Sequence, residues 1–237
     1  PEASAIPYEL KVEGKVMPPD EDSLPFGGPV EEEVTLDMQR EIIAKEETVE
    51  EFDYVQTIRD GSQAYNIGDK ATGYIQSMDD EDWFQVTPAE TGIYEFNLSK
   101  NKAAAPMFGV YQVKTDKDYK GKEYSYLEMV ASNEYSFWQY GEFLDKVATG
   151  LKANETYFIK VNANYYNGSI SFDPYEFTAG LVVKNPQDKY EDNDETENIK
   201  NLASSAIEGN FSMPYDRDVF YFESKQDDIY GITLESK

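Results

Sequence analysis

The chain has 237 residues, room for one large domain or two small ones, and 40% of it is hydrophobic, enough to bury a core without covalent staples. Its 47 acidic residues against 21 basic ones leave a formal net charge of −26, which disfavours nucleic acid and anionic membrane surfaces as partners, since both call for clustered cations. With no His and no Cys, imidazole bases, Ser-His-Asp triads, thiol nucleophiles and zinc held by thiolate or imidazole are excluded, leaving carboxylates, hydroxyls, lysines and oxygen-binding cations.

The chain opens at Pro1 rather than Met and is read as a piece of a longer protein. Residues 5–17, with Pro7-Tyr8-Glu9-Leu10, are expected to form a strand. Residues 18–53 carry thirteen acids and only two bases, Arg40 and Lys45, together with Pro18-Pro19, Pro25 and Gly27-Gly28-Pro29. Residues 18–51 are therefore expected to form an acidic linker. Leu36, Ile42 and Ile43 at roughly helical spacing, with Thr35 or Asp37 to cap, predict a short helix near 36–47. The uncharged stretches fall short of the about 20 apolar residues that cross a bilayer, so no membrane insertion is expected.

From about residue 64 the chain turns to short runs rich in Tyr, Phe, Ile, Val and Thr, punctuated by Gly, Asn, Asp and Pro. The predicted strands are 72–77, 82–87, 92–98, 107–113, 125–132, 156–163 and 175–183. Ile93, Phe96 and Leu98 mark the apolar positions of one, and Phe158 with Val161, offset by one, those of another. Turns every 8–15 residues point to an all-β sandwich. The chain also matches itself. At an offset of 136, Gly73, Asp80, Asp82 and Phe84 meet Gly209, Asp216, Asp218 and Phe220, and Ile93-Tyr94, Phe96 and Leu98 meet Ile229-Tyr230, Ile232 and Leu234. At an offset of 167, Pro7-Tyr8-Glu9-Leu10 meets Pro174-Tyr175-Glu176-Phe177. The expected organisation is the last strand of one module (1–17), a linker (18–51), a complete module (52–185) and the first half of another (186–237). Half a sandwich exposes an edge and an apolar face. Residues 5–17 are expected to complete the C-terminal half, within one chain or by strand exchange between chains.

The run Asp188-Lys-Tyr190-Glu191-Asp-Asn193-Asp194, then Gly209, Asp216-Arg-Asp218-Val-Phe220 and Ile229-Tyr230-Gly-Ile232, resembles the opening of a bacterial pre-peptidase C-terminal (PPC) domain. Asp80-Glu-Asp82-Trp83-Phe84 repeats its second part. Leu151-Lys-Ala-Asn-Glu-Thr156-Tyr157-Phe158 is similar to the family's penultimate strand and lead-in. Asp192 stands where the family usually has Pro, and Phe52-Asp53-Tyr54 stands in register with the opening motif of the complete module. The resemblance implies tandem jelly-roll-like β-sandwich modules, exported and non-catalytic, attached to a parent secreted hydrolase or surface protein.

An all-oxygen set suits calcium, which takes six to eight oxygen ligands. The resemblance makes Glu191, Asn193, Asp194, Asp216 and Asp218 one candidate calcium site, and Asp80 and Asp82 with Asp53 a second. The plain reading of each Asp-x-Asp pair is a turn cap bonded to its own backbone. A second surface is the aromatic stretch from Tyr119 to Phe143, in which Tyr124, Tyr126, Trp138 and Tyr140 are candidate ligand-binding residues for an extracellular protein or polysaccharide. Tyr165-Tyr166 before Asn167-Gly168 reads as a hairpin turn. The expected function is a non-enzymatic, extracellular or cell-surface accessory module, possible calcium included. The alternatives are a pro-region or intramolecular chaperone of a secreted peptidase, and a structural stalk or surface-layer subunit.

Overall fold

In a computed structural model, the described residues are 16, 19–24, 52–99, 106–134, 144–164, 173–184, 187–193, 200–201, 206–211, 213–214, 216–224 and 229–235. The helix expected at 36–47, the turn at 165–168, Asp194, Trp138, Tyr140 and all of the expected strand 5–17 except Val16 lie outside them.

The chain is an all-β sandwich with one short helix among the described residues. Helix α1 (Tyr54–Gly61) is followed by β1 (Gln63–Ala64), β2 (Lys70–Gly73), β3 (Glu81–Val86), β4 (Gly92–Leu98), β5 (Met107–Lys117), β6 (Glu123–Ser132), β7 (Lys146–Leu151), β8 (Tyr157–Asn162) and β9 (Tyr175–Lys184). Two-residue strands β10 (Lys200–Asn201) and β11 (Phe220–Tyr221) come last. One sheet runs β1-β3-β8-β5-β6 and the other β2-β9-β4-β7. The long pairings are antiparallel, while β1 joins β3, and β10 joins β11, in parallel.

Alternation sets which side chains face between the sheets. In β4 the buried residues are Gly92, Tyr94, Phe96 and Leu98, so Ile93 faces away from the core residues it was grouped with. In β9 they are Tyr175, Phe177 and Ala179. Phe177 is the hub, with its ring centroid 5.5–6.3 Å from those of Tyr65, Phe84, Phe96 and Phe108. Such ring pairs contribute beyond the area they bury.

The five-stranded sheet is also covered on its outer face, where Trp83 and Phe158 pack with Ile58 of α1 and with Leu24. Phe158 thus serves the outer cluster and Val161 the inner core, which accounts for their one-residue offset. The helix, absent from the strand pattern, starts where the Asp53 side chain accepts from the Gln56 N–H at 2.9 Å, and it buries Val55 and Ile58 three residues apart.

Residues 20–24, expected as linker, are part of this sandwich. Leu24 is 7% exposed, a burial that stabilises by about 1.5–3 kcal/mol. Ser23 N–H donates to the Gly61 carbonyl at 3.2 Å, and a Cβ on Gly61 would lie 2.4 Å from Leu24 Cδ2, so the helix ends in the residue that leaves room for the crossing segment.

Candidate metal centres and an aromatic hairpin

The segment 20–24 runs along the open edge of β3, beyond the two residues that β1 covers. Asp22 binds there through its carboxylate: Oδ2 accepts from Trp83 N–H at 2.8 Å and Oδ1 from Leu24 N–H at 2.7 Å. Burial pushes Asp22 up to about 6, against the pull of these two bonds. This docking brings Asp20 and Glu21 to the start of β3, where Asp80 and Asp82 stand.

Asp80 and Asp82 are 1% and 0% exposed. Asp80 Oδ2 accepts from Gln76 N–H, and Asp82 Oδ2 accepts from the Tyr175 hydroxyl at 2.7 Å. The other oxygen of each carboxylate, and Oε2 of Glu21, are buried with no hydrogen-bond partner. Burial, followed by the neighbouring acids, raises Asp80 to about 6, and burial drives Asp82 well above the carboxylate range despite the Tyr175 bond. Glu21 is raised by burial as well. Lys160 does not compensate this charge, because its Nζ lies 2.9 Å from Glu81 Oε1 and 5.5 Å from the Trp83 ring centroid.

A buried, unpaired carboxylate oxygen costs several kcal/mol unless a proton or a cation relieves it. Asp20, Asp80 and Asp82 each offer an oxygen, and these lie within 4.8 Å of one another. That span is about twice a calcium–oxygen distance, so the donor set fits a hard cation of calcium's size. Gly73 is part of the arrangement. A Cβ there would fall 2.3 Å from the Tyr175 hydroxyl, so only glycine lets that ring pass to Asp82.

Asp53 does not join this group, because its carboxylate is spent on capping α1. Its expected place is taken by Asp20. Sequence reading overlooked Asp20, Glu21 and Asp22 because some 60 residues separate them from Asp80 and Asp82. A usable signal was present: Asp20-Glu-Asp22 echoes Glu191-Asp-Asn193, the opening that was sought at 52–54.

A second group brings together Glu191, Asp216 and Asp218, again within 4.8 Å. Asn193, fully buried, donates through Nδ2 to Asp218 Oδ1 at 3.1 Å, and its own Oδ1 is buried without a partner. Val219 N–H donates to the Asn193 carbonyl at 3.0 Å, while Trp83 N–H, 136 positions earlier, donates to Asp22. Glu191 and Asp216 line a small cleft of about 140 Å³ that Gln112, Lys114, Gly150, Lys152 and Tyr157 of the sandwich complete. A neighbouring cleft of about 400 Å³ is lined by Arg59, Gln112, Val113, Lys114, Lys152, Glu155 and Thr156. Neither reaches Asp80 or Asp82.

Beyond Tyr157, β5 and β6 continue as a two-stranded arm, paired only with each other from Val113/Leu127 to Lys117/Glu123. Tyr124 and Tyr126, two apart and so on one face, are 48% and 39% exposed with centroids 6.0 Å apart. Tyr119 at the tip is also exposed.

No protein-family model matches the chain, and no curated protein sequence matches it. Solved structures with a similar arrangement include the pre-peptidase C-terminal domain of a Bacillus anthracis collagenase, with TM-score 0.33 and 11% identity over 50% of this chain and 93% of that one. Another is Aeromonas hydrophila PliG, a periplasmic inhibitor of g-type lysozyme, with TM-score 0.32 and 10% identity over 51% of this chain and 99% of that one. A third is CorA, a surface-associated copper-binding protein of Methylomicrobium album BG8, with TM-score 0.32 and 8% identity over 51% of this chain and 98% of that one. No helix among the described residues is long and apolar enough to cross a membrane.

Proposed function

We propose that the chain is a non-catalytic, extracellular binding or accessory module of the PPC type, repeated in tandem, whose two acidic centres are filled by calcium. The observation that carries this is the set of buried, unpartnered oxygens on Asp80 and Asp82 beside Asp20 and Glu21. An all-oxygen site assembled partly from a segment that must fold down onto the sandwich suits the weak calcium affinities of extracellular modules, about 10⁻⁴–10⁻³ M. Calcium would be held by Asp20, Asp80 and Asp82 with Glu21 at hand, and in the second centre by Glu191, Asp216 and Asp218. When bound it supplies positive charge. The chain's own part is to pin residues 20–24 across the edge of β3, joining segments far apart in sequence.

The same burial argues against catalysis. Asp82, although raised like a general acid, is sealed beneath Tyr175, away from both clefts. The partner surface is assigned to Tyr124 and Tyr126, whose exposed rings offer stacking faces for a sugar or a proline-rich peptide of an extracellular matrix or parent protein.

The test is a thermal melt in excess calcium and in chelator, on the chain and on its Asp82→Asn and Asp218→Ala variants. Calcium at about 100 times its dissociation constant adds roughly 2.7 kcal/mol, a shift of a few degrees or more. The shift should fall in each variant. Identical melts with calcium and chelator would sink the metal assignment.

A further inference from the structure

The larger cleft, about 400 Å³ at the base of the β5–β6 arm, is basic in a chain of 47 acids and 21 bases. Arg59, Lys114 and Lys152 line it against one acid, Glu155, whose Oε2 accepts from the Tyr157 hydroxyl at 3.2 Å. Lys114 lies 3.7 Å from Glu128, a carboxylate that also accepts from Gln112 Nε2 at 2.7 Å. Arg59 and Lys152 form no ion pair among the described residues. The smaller cleft alongside shares Gln112, Lys114 and Lys152, and Glu191, Asp192 and Asp216 stand in its wall. There the chain itself sets carboxylates near the shared lysines. The larger cleft has no such complement.

This cleft also meets an open strand edge. Past the Gln112–Tyr157 pair, β5 runs on to Lys117 with β6 as its one strand partner among the described residues. Asn133 N–H donates to the Phe108 carbonyl on the β6 side, and backbone direction alternates along a strand. The register shift beside Val110 skips a residue of β6 and none of β5, so the alternation holds along β5. Even-numbered residues of β5 therefore turn their backbone to β6, and Thr115 presents its N–H and carbonyl to the open side. The next odd residue, Lys117, has its N–H taken by Asp116 Oδ1 at 2.7 Å, which ends the edge.

We propose that an extended acidic peptide of a partner protein adds to β5 as a strand beyond Gln112 and sets its carboxylates among Arg59, Lys114 and Lys152. In strand addition the main chain supplies affinity and the side-chain surroundings supply specificity. Both faces of the added strand meet cations. Lys114 shares the face of Val110, which is part of the inner core, while Val113 packs on the outer cluster that holds Ile58, the residue before Arg59 in α1. Adjacent residues of a strand point to opposite faces, so two consecutive acids reach Lys114 on one side and Arg59 on the other. Neither acidic centre lines this cleft, so binding there does not require calcium.

The probe is a fluorescein-labelled octapeptide, Thr-Val-Asp-Glu-Asp-Glu-Val-Thr, titrated with the full chain and followed by anisotropy. Chelator keeps calcium from bridging the peptide to the acidic centres. Salt at about 0.15 M, with a Debye length of about 8 Å, screens the acids elsewhere on the chain. Saturable binding is expected, weakened about two- to fivefold by Arg59→Gln and by Lys152→Gln, as suits exposed ion pairs. The Asn/Gln version of the peptide should bind at least about tenfold more weakly. The acidic peptide with its central amides N-methylated keeps its charge and should lose binding, because it cannot pair with the edge. Absence of saturable binding, or equal binding by the parent and both variants, overturns the proposal. So does equal binding of the methylated peptide. Saturable binding of polygalacturonate with none of the peptide would make the cleft a sugar site and overturns it too.

Discussion

Asp82 is fully buried under a tyrosine ring, whereas its counterpart Asp218 is half-buried beside a cleft. The two stand in the same Asp-x-Asp setting, Asp82 at the start of β3 and Asp218 just before β11, and each strand takes a short parallel partner, β1 on β3 and β10 on β11. What differs is the layer above. In the first unit β9 closes the core and drives the Asp82 carboxylate out of water. In the C-terminal region the same acids stand before an open apolar face. A carboxylate group becomes a demanding cation site only when a second sheet removes the solvent that would otherwise screen it.

The largest effect should follow from removing the hub of the closed unit. Phe177→Ala strips a ring from four aromatic neighbours and should cost about 3–5 kcal/mol, read as a lower denaturation midpoint with unchanged slope. Gly73→Ala should cost about 1–3 kcal/mol by driving a methyl into Tyr175, and should weaken calcium stabilisation with it. Gly209→Ala meets the carboxylate ends of Asp188 and Asp218 rather than a buried ring, and should cost less than Gly73→Ala in the same denaturation experiment.

Acidity separates the regions next. The folded-state values of Asp22 and Asp80, about 6, lie above the ordinary aspartate value, so the native state holds protons more tightly than the unfolded chain does. In chelator, stability should therefore be greatest at low pH and fall by about 1–3 kcal/mol as pH rises from 4 through 6 to 7. Excess calcium should cancel that fall by taking the protons' place. Asp82→Asn should recover part of the loss in chelator, since the amide carries no charge to desolvate. Melts across pH with and without calcium check both outcomes. Smallest in stability are Tyr124→Ala and Tyr126→Ala, within about 0.5 kcal/mol of the parent, since both rings are partly in water. Their effect should appear in binding to an insoluble matrix partner, measured by pull-down.

Much of the fold was legible from local pattern. Residues 92–98 were expected as a strand and form one, and the strands at 107, 125, 157 and 175 fall within a few residues of expectation, because alternation and β-branched or aromatic content act over neighbouring positions. The Lys146–Leu151 strand escaped, being short and half polar, and α1 escaped because Val55 and Ile58 give too few turns to stand out. Glu191, Asn193, Asp216 and Asp218 lie within one short stretch, so their proximity could be read along the chain.

By itself the sequence determined the β class, the absence of imidazole and thiol chemistry, the paired Asp-x-Asp motifs and the offset of 136 at which they match. Each follows from composition or from spacing along the chain. Only the tertiary structure decided that Asp20 and Glu21 join Asp80 and Asp82, that Asp53 caps a helix instead, and that Tyr175 seals Asp82 from water. The first of these goes with Leu24 packing against Ile58, Trp83 and Phe158 on the outer sheet face. Burial of that one side chain, some 60 residues from Trp83, carries three acids to a site that nothing in their local sequence foretells.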